Sequence, residues 1–214
     1  MRIVIALVIA YLLGSILPAD LFARARGVDI RAVGTRNPGA TNAMRELGPV
    51  PGLMTAAYDA SVGLVSMYLA WRLGLSAGWI YTVGLAAFAG HVFPVFFGLR
   101  GGQGMAAATG MLVWCMGYAV TRGWMSAPGI AALLAFAAVV FAVTRSATAV
   151  GVCAVPVLMA ELLLARPGWE FGVFMGALSA LIWATQLRIA RQEHLLRLSG
   201  PMRRRVSRLR AHAR

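Results

Sequence analysis

Apolar residues fall in seven runs, near 3–23, 49–71, 79–97, 105–121, 127–143, 147–165 and 169–187, divided by short polar or glycine-rich breaks. Each is close to the roughly 20 residues that an α-helix needs to cross a hydrocarbon core, though several are short or interrupted. The pattern predicts an all-α, polytopic membrane protein with seven transmembrane helices. A soluble bundle would need polar outer faces along its helices, and this chain has too few polar residues to supply them. Gly14-Ser15 and Pro18 predict a bend near the end of the first run. That run starts like a signal peptide, with Arg2 ahead of apolar residues. It continues through Leu21-Phe22, however, and six more runs follow, so a retained helix is expected. Tight hairpins are expected at 72–78 and 122–126, and the long polar connection is 24–48. With no internal repeat or separate soluble unit, residues 1–200 read as one membrane-embedded domain and 201–214 as a basic tail.

Composition agrees with this picture and adds an orientation. The 214 residues are 60% hydrophobic and 13% charged, with mean hydropathy +0.75. All 20 basic residues are arginine. With seven spans, sixteen of them (Arg24 to Arg45, Arg100, Arg145 and those from Arg188 onward) fall on one side, and only Arg2, Arg72, Arg122 and Arg166 on the other. The positive-inside rule then puts the N-terminus outside and the C-terminus in the cytoplasm. The net charge of +13 resides largely in the tail, where Arg203, Arg204, Arg205, Arg208 and Arg210 follow Pro201. A basic tail next to a membrane span fits a topology signal or contact with anionic lipid headgroups better than nucleic acid. Cys115 and Cys153 lie inside apolar runs and read as small core residues, and no metal-ligand motif is present. Trp71, Trp79, Trp124 and Trp169 sit near run ends as interfacial anchors.

Candidate chemistry concentrates on the arginine-rich side. Residues Gly34-Thr35-Arg36-Asn37-Pro38-Gly39-Ala40-Thr41-Asn42-Ala43-Met44-Arg45 form a polar, glycine-broken stretch between apolar runs. Its backbone N–H groups and donor side chains suit a phosphate or carboxylate. A second cluster joins His91-Val92-Phe93-Pro94 to Gly101-Gly102-Gln103-Gly104, where three glycines lead into a helix, a place for an anion. Glycine in such a turn also serves close helix packing, so the signal gains weight from lying on the same side as the first stretch. The third is the end of the last run, where Arg191 and His194 share a helix face. Asp59 within an apolar run calls for an arginine partner or a polar cavity.

These motifs, spread over nearly the whole chain, resemble the bacterial acyl-phosphate:glycerol-3-phosphate acyltransferases, the PlsY family. The resemblance rests on Gly14-Ser15-Ile16-Leu17-Pro18, Gly27 to Gly34, Asn37-Pro38-Gly39-Ala40-Thr41-Asn42 with Arg45, Gly90-His91-Val92-Phe93-Pro94, Gly101-Gly102-Gln103-Gly104 and Arg197-Leu198-Ser199-Gly200. It implies a bacterial inner-membrane enzyme with a cytoplasmic active site. Such an enzyme moves a fatty acyl group from acyl phosphate to glycerol 3-phosphate, giving lysophosphatidic acid, with no metal or diffusible cofactor. Thr35, Asn37, Arg45, Gln103 and His91 become the candidate catalytic residues. Arg36, Thr41, Asn42, Gly101, Gly102, Gly104, Arg145, Arg191 and His194 become the candidate phosphate-binding residues. The expected partners are the two substrates and membrane lipid, with no nucleic acid, and the oligomeric state is left open.

Four motifs depart from the family pattern. Thr35-Arg36 replaces Ser-Gly, Gln103 replaces the lysine of Gly-Gly-Lys-Gly, Arg191 and His194 stand where His-x-x-Asn is usual, and Val62 replaces the lysine after Asp59. A neutral donor at 103 makes a hydrogen bond about half as strong as a charged one. The alternatives are therefore a paralogue with another substrate or without catalysis, or a small transporter of an anionic solute.

Overall fold

The computed structural model describes residues 1–123, 126–144, 153, 157, 160 and 168–187. The run 147–165 lies for the most part outside the described residues. So do the 201–214 tail, Trp124, Arg145, Arg191 and His194.

Among the described residues the chain is all helical. Helix α1 (Arg2–Gly14) gives way at Ser15, where the serine hydroxyl donates to the Tyr11 carbonyl at 2.9 Å. Leu17 is extended (φ −114°, ψ 96°), as a residue before proline must be. Pro18 then opens α2 (Pro18–Arg24), where its missing N–H costs nothing. The two helices meet at 43°, so the first apolar run is a broken span. The 24–48 connection is not an open loop. It contains a short helix, α3 (Ala40–Glu46), and packs Ile30, Ala43 and Leu47 against Ala19 and Ala23 of α2 in a small core.

Pro49 starts the long α4 (Pro49–Arg72), and α5 (Ala77–Val92) returns after a tight turn with Gly74 at φ +71°. Phe93-Pro94 stops α5 before its apolar run is exhausted, and a 3-10 turn, Val95–Phe97, carries the chain on. After the glycine loop come α6 (Met105–Thr121), α7 (Ala127–Thr144) and α8 (Trp169–Leu187).

Helix α5 packs on α1, α4 and α6, and α4 packs on α6. Two seams are built on glycine. A Cβ at Gly14 would overlap the Ala87 carbonyl, and one at Gly90 would overlap that of Tyr11, so α1 and α5 meet backbone to backbone. Gly63 and Gly110 do the same for α4 and α6, against Ala107 and Ala60. Close approach through small residues is how helices associate in lipid, where apolar burial gives little drive. Phe88, Met67, Met111, Phe174 and Met175 fill the core, and Tyr81 stacks on Phe174 of α8 with ring centres 4.7 Å apart. Val4, Ile5, Val8 and Ile9 of α1 and Leu134, Val139 and Val143 of α7 point outward. Three helical stretches, Pro49–Arg72, Ala77–Phe97 and Trp169–Leu187, are long and apolar enough to cross a membrane, and the broken α1–α2 pair is a fourth. Helices α6 and α7 are apolar but shorter.

Candidate active site

At one end of the bundle the start of α6, the end of α5, the end of α8 and the 25–48 connection come together. The first stretch owes its shape to Asn42, which is fully buried. Its Oδ1 accepts the Thr35 N–H at 2.8 Å, and its Nδ2 donates to the Ile30 and Val33 carbonyls at 3.0 and 3.2 Å. Three backbone groups are thereby tied to one side chain. Gly34 must stay small, since a Cβ there would overlap the Asn42 amide and press on Glu46. It also sits at φ +53°, a region glycine enters freely. Arg36 follows at φ +60°, a conformation that disfavours any residue bearing a Cβ, and it stands at the position where glycine is usual in the resembling family.

The second stretch is anchored on α5. Gly101 and Gly102 donate their N–H groups to the Val92 and His91 carbonyls, both at 3.1 Å. A Cβ on Gly102 would lie 2.5 Å from His91 Nε2, so the imidazole lies directly behind the loop. His91 is buried, with Nδ1 3.7 Å from Asp59 Oδ1, beyond hydrogen-bond reach. Asp59 Oδ1 has no hydrogen-bond partner among the described residues. Gly104, at φ +77°, precedes α6, which has no side-chain cap, so the first N–H groups of that helix face the loop. On the far side, Thr185 of α8 donates to the Gln103 carbonyl at 3.3 Å.

Arg31 joins the two stretches. Its guanidinium pairs with buried Asp20 of α2 and donates to the Arg100 carbonyl at 2.5 Å. Arg24 donates to the other oxygen of Asp20 at 2.6 Å. Both guanidiniums lie over the Phe97 ring, 5.0 Å and 5.9 Å from its centre, within cation–π range. Burial, and then the Arg100 guanidinium nearby, push Arg31 below its ordinary pKa.

The expected site residues therefore divide. Thr35, Arg36, Thr41 and Arg45 are exposed, Asn37 and Gln103 are half-buried, and none of these six side chains makes a hydrogen bond among the described residues, the Thr35 N–H and the Gln103 carbonyl being bound through the backbone. Asn42 differs from the expectation. Its amide is fully engaged with backbone beneath the surface, so it shapes the loop and has no donor left for a phosphate. The same holds for the N–H groups of Gly101 and Gly102, which bind carbonyls of α5. His91 reaches the cradle from behind and does not line it. Sequence reasoning did not single out Asp20, Arg31, Arg100 or Thr185. A carboxylate two residues after a proline inside an apolar run was the available signal for Asp20. Among the described residues, no group of three or more His, Cys, Asp or Glu side chains converges as for a metal ion.

Fold and candidate site together define a membrane protein, all helical among the described residues, with exposed donor side chains gathered at one end of its helices. The glycerol-3-phosphate acyltransferase family model matches residues 4–196. The glycerol-3-phosphate acyltransferase of Geobacter sulfurreducens is 41% identical over 155 residues, covering 67% of this chain and 80% of that one. The enzyme of the same name from Geobacter metallireducens is 49% identical over 104 residues, covering 49% of this chain and 54% of that one. The crystal structure of PlsY (YgiH), an integral membrane glycerol 3-phosphate acyltransferase, in its glycerol 3-phosphate form aligns over 94% of both chains with TM-score 0.73 and 28% identity. Its lysophosphatidic acid form aligns with TM-score 0.70 and 27% identity. The chain belongs to the glycerol-3-phosphate acyltransferase family, a family of membrane enzymes.

Proposed function

We propose that this protein moves a fatty acyl group from acyl phosphate to the 1-hydroxyl of glycerol 3-phosphate, giving lysophosphatidic acid and inorganic phosphate. In the step, the bond between the acyl carbon and the phosphate oxygen breaks as the new ester bond forms. The hydroxyl proton ends on the phosphate product. The observation that carries this reading is the pairing of two donor stretches at one end of membrane-length helices. One stretch brings Thr35, Arg36, Asn37, Thr41 and Arg45, and the other brings Gln103 and the open start of α6. Two phosphates need two such seats, and the exposed Phe93, Val95, Phe96 and Leu99 beside them give an acyl tail an apolar approach. Acyl phosphate is already activated. Holding it against the acceptor hydroxyl, with donors placed where charge develops, supplies the rate without a Ser-His-Asp set.

Arg145, Arg191 and His194, outside the described residues, are further phosphate-binding candidates in this reading. The seven apolar runs support seven spans, the arginine distribution supports an outside N-terminus and a cytoplasmic active site, and the resemblance to a bacterial family supports the inner membrane. That the solved relatives are named for a glycerol 3-phosphate form and a lysophosphatidic acid form supports the same substrate and product. The test is acyl transfer by the purified protein in lipid, supplied with a long-chain acyl phosphate and labelled glycerol 3-phosphate. Lysophosphatidic acid and phosphate should appear in equal amounts. A protein that retains both substrates yet forms no ester overturns the reading.

A further inference from the structure

Arg31 lies in the segment that leads into the first donor stretch, and its side chain reaches Asp20 of α2 and the Arg100 carbonyl at the edge of the second. Its backbone N–H is held by Asp29 Oδ1 at 2.9 Å. Its guanidinium pairs with Asp20, which is 3% exposed and shared with Arg24, and reaches the Arg100 carbonyl at 2.5 Å. Phe97 packs beneath both arginines. On one side Arg31 adjoins Ile30, whose carbonyl is bound by the Asn42 amide that also fixes Thr35. On the other side it holds Arg100, the residue immediately before Gly101-Gly102-Gln103. A planar guanidinium with several fixed donors can hold a carboxylate and a carbonyl in one geometry; a lysine ammonium, being a point charge, cannot.

We infer that Arg31, anchored by Asp20, is a positioning residue that sets the gap between the two phosphate seats. The inference rests on the reading of function above. One substrate's phosphate is held by each stretch, so this gap decides whether the acceptor hydroxyl meets the acyl carbon. Arg31 itself touches neither substrate. Misplacement of reacting groups by about 1 Å is enough to cost on the order of a hundredfold in rate.

The test uses Arg31→Lys, which keeps the charge and so avoids leaving Asp20 unpaired, with Asp20→Asn as the variant from the other side. Turnover for acyl transfer should fall by about a hundredfold, with KM for both substrates within about threefold of the parent. The share of acyl phosphate lost to water should rise, because the donor seat still fills while the acceptor is out of place. In parallel, spin labels at Ala32→Cys and Leu99→Cys, both exposed and outside the donor set, report the gap directly in a background with Cys115 and Cys153 replaced. Their distance distribution should broaden or shift in Arg31→Lys. An unchanged distribution overturns the inference. So does a raised KM for glycerol 3-phosphate at unchanged turnover, which would make Arg31 a substrate ligand. A lower melting temperature with unchanged turnover per folded molecule would leave only a stabilising ion pair, and overturns it too. If the parent protein forms no ester at all, the proposed function fails, while the label distances still decide whether Arg31 sets the gap.

Discussion

Asn42, Arg36 and Gln103 show how far a residue's chemistry follows from its type. Asn42→Ala removes three hydrogen bonds and leaves two carbonyls and one N–H of the 30–35 backbone without their partner. At about 1 kcal/mol each the loss is about 3 kcal/mol, and a thermal melt in detergent should show a marked fall in melting temperature. Arg36→Gly should behave oppositely. The left-handed backbone at φ +60° costs a residue with a Cβ about 1–2 kcal/mol, partly offset by the extra freedom glycine has when unfolded. Stability should therefore hold or rise while KM for the phosphate substrates increases. Gln103→Lys should raise kcat/KM by about tenfold, as a charged donor replaces a neutral one at a half-buried position. The sequence displayed the donors themselves, since Thr35, Arg36, Asn37 and Arg45 are unusual company for so apolar a chain. It could not show which donors are already engaged. Whether the Asn42 amide faces a ligand or the Ile30 carbonyl depends on how the 30–35 backbone curls back, and hydropathy carries no trace of that. The Asp20–Arg31–Arg100 connection was hidden for the same reason, as it joins parts of the chain that only tertiary packing brings together.

At the scale of elements, hydropathy located the long helices because lipid-facing segments must be apolar for most of their length. It also pointed to the bend of the first run, where proline and glycine leave a local mark. It did not reveal α3, a seven-residue helix inside a segment dense in glycine and proline. Such a helix is stabilised by packing Ala43 and Leu47 on α2 more than by its own propensity. Hydropathy alone carries the third run on to Phe97, but His91-Val92-Phe93-Pro94 marks its close, and α5 does end at Val92 because the residue before a proline is pushed out of the helical region. Helix α6 offers a paired test of the glycine seams. A Cβ at Gly110 would overlap the Ala60 carbonyl, whereas at Gly117 it would meet nothing within 4 Å. Gly110→Ala should destabilise by about 1–3 kcal/mol through overpacking. Gly117→Ala should be neutral or stabilising by up to about 1 kcal/mol from helix propensity. Heat-induced loss of the monodisperse peak in detergent compares the two.

For the whole molecule, the two donor stretches must share a compartment. Single cysteines at Arg36 and Leu99 should react with an impermeant thiol reagent in inside-out vesicles, and one at Arg72, at the other end of α4, in right-side-out vesicles. Reaction of the first two from opposite sides would dismantle the site. The arginine count predicts which compartment that is from charge alone, because orientation depends on which connections carry cations and not on how the helices pack.

The meeting of α1 with α5 along Gly14 and Gly90 has one more consequence. Where main chain lies directly on main chain there are no side-chain rotamers to exchange, and neither helix can slide without lifting away from the other. The scaffold behind the cradle is therefore stiff. Accommodation of a long-tailed donor and its departing product falls to the Phe93–Leu99 turn and the Thr35–Asn37 rim, which should quicken or slow turnover when their mobility is altered while the helices stay where they are.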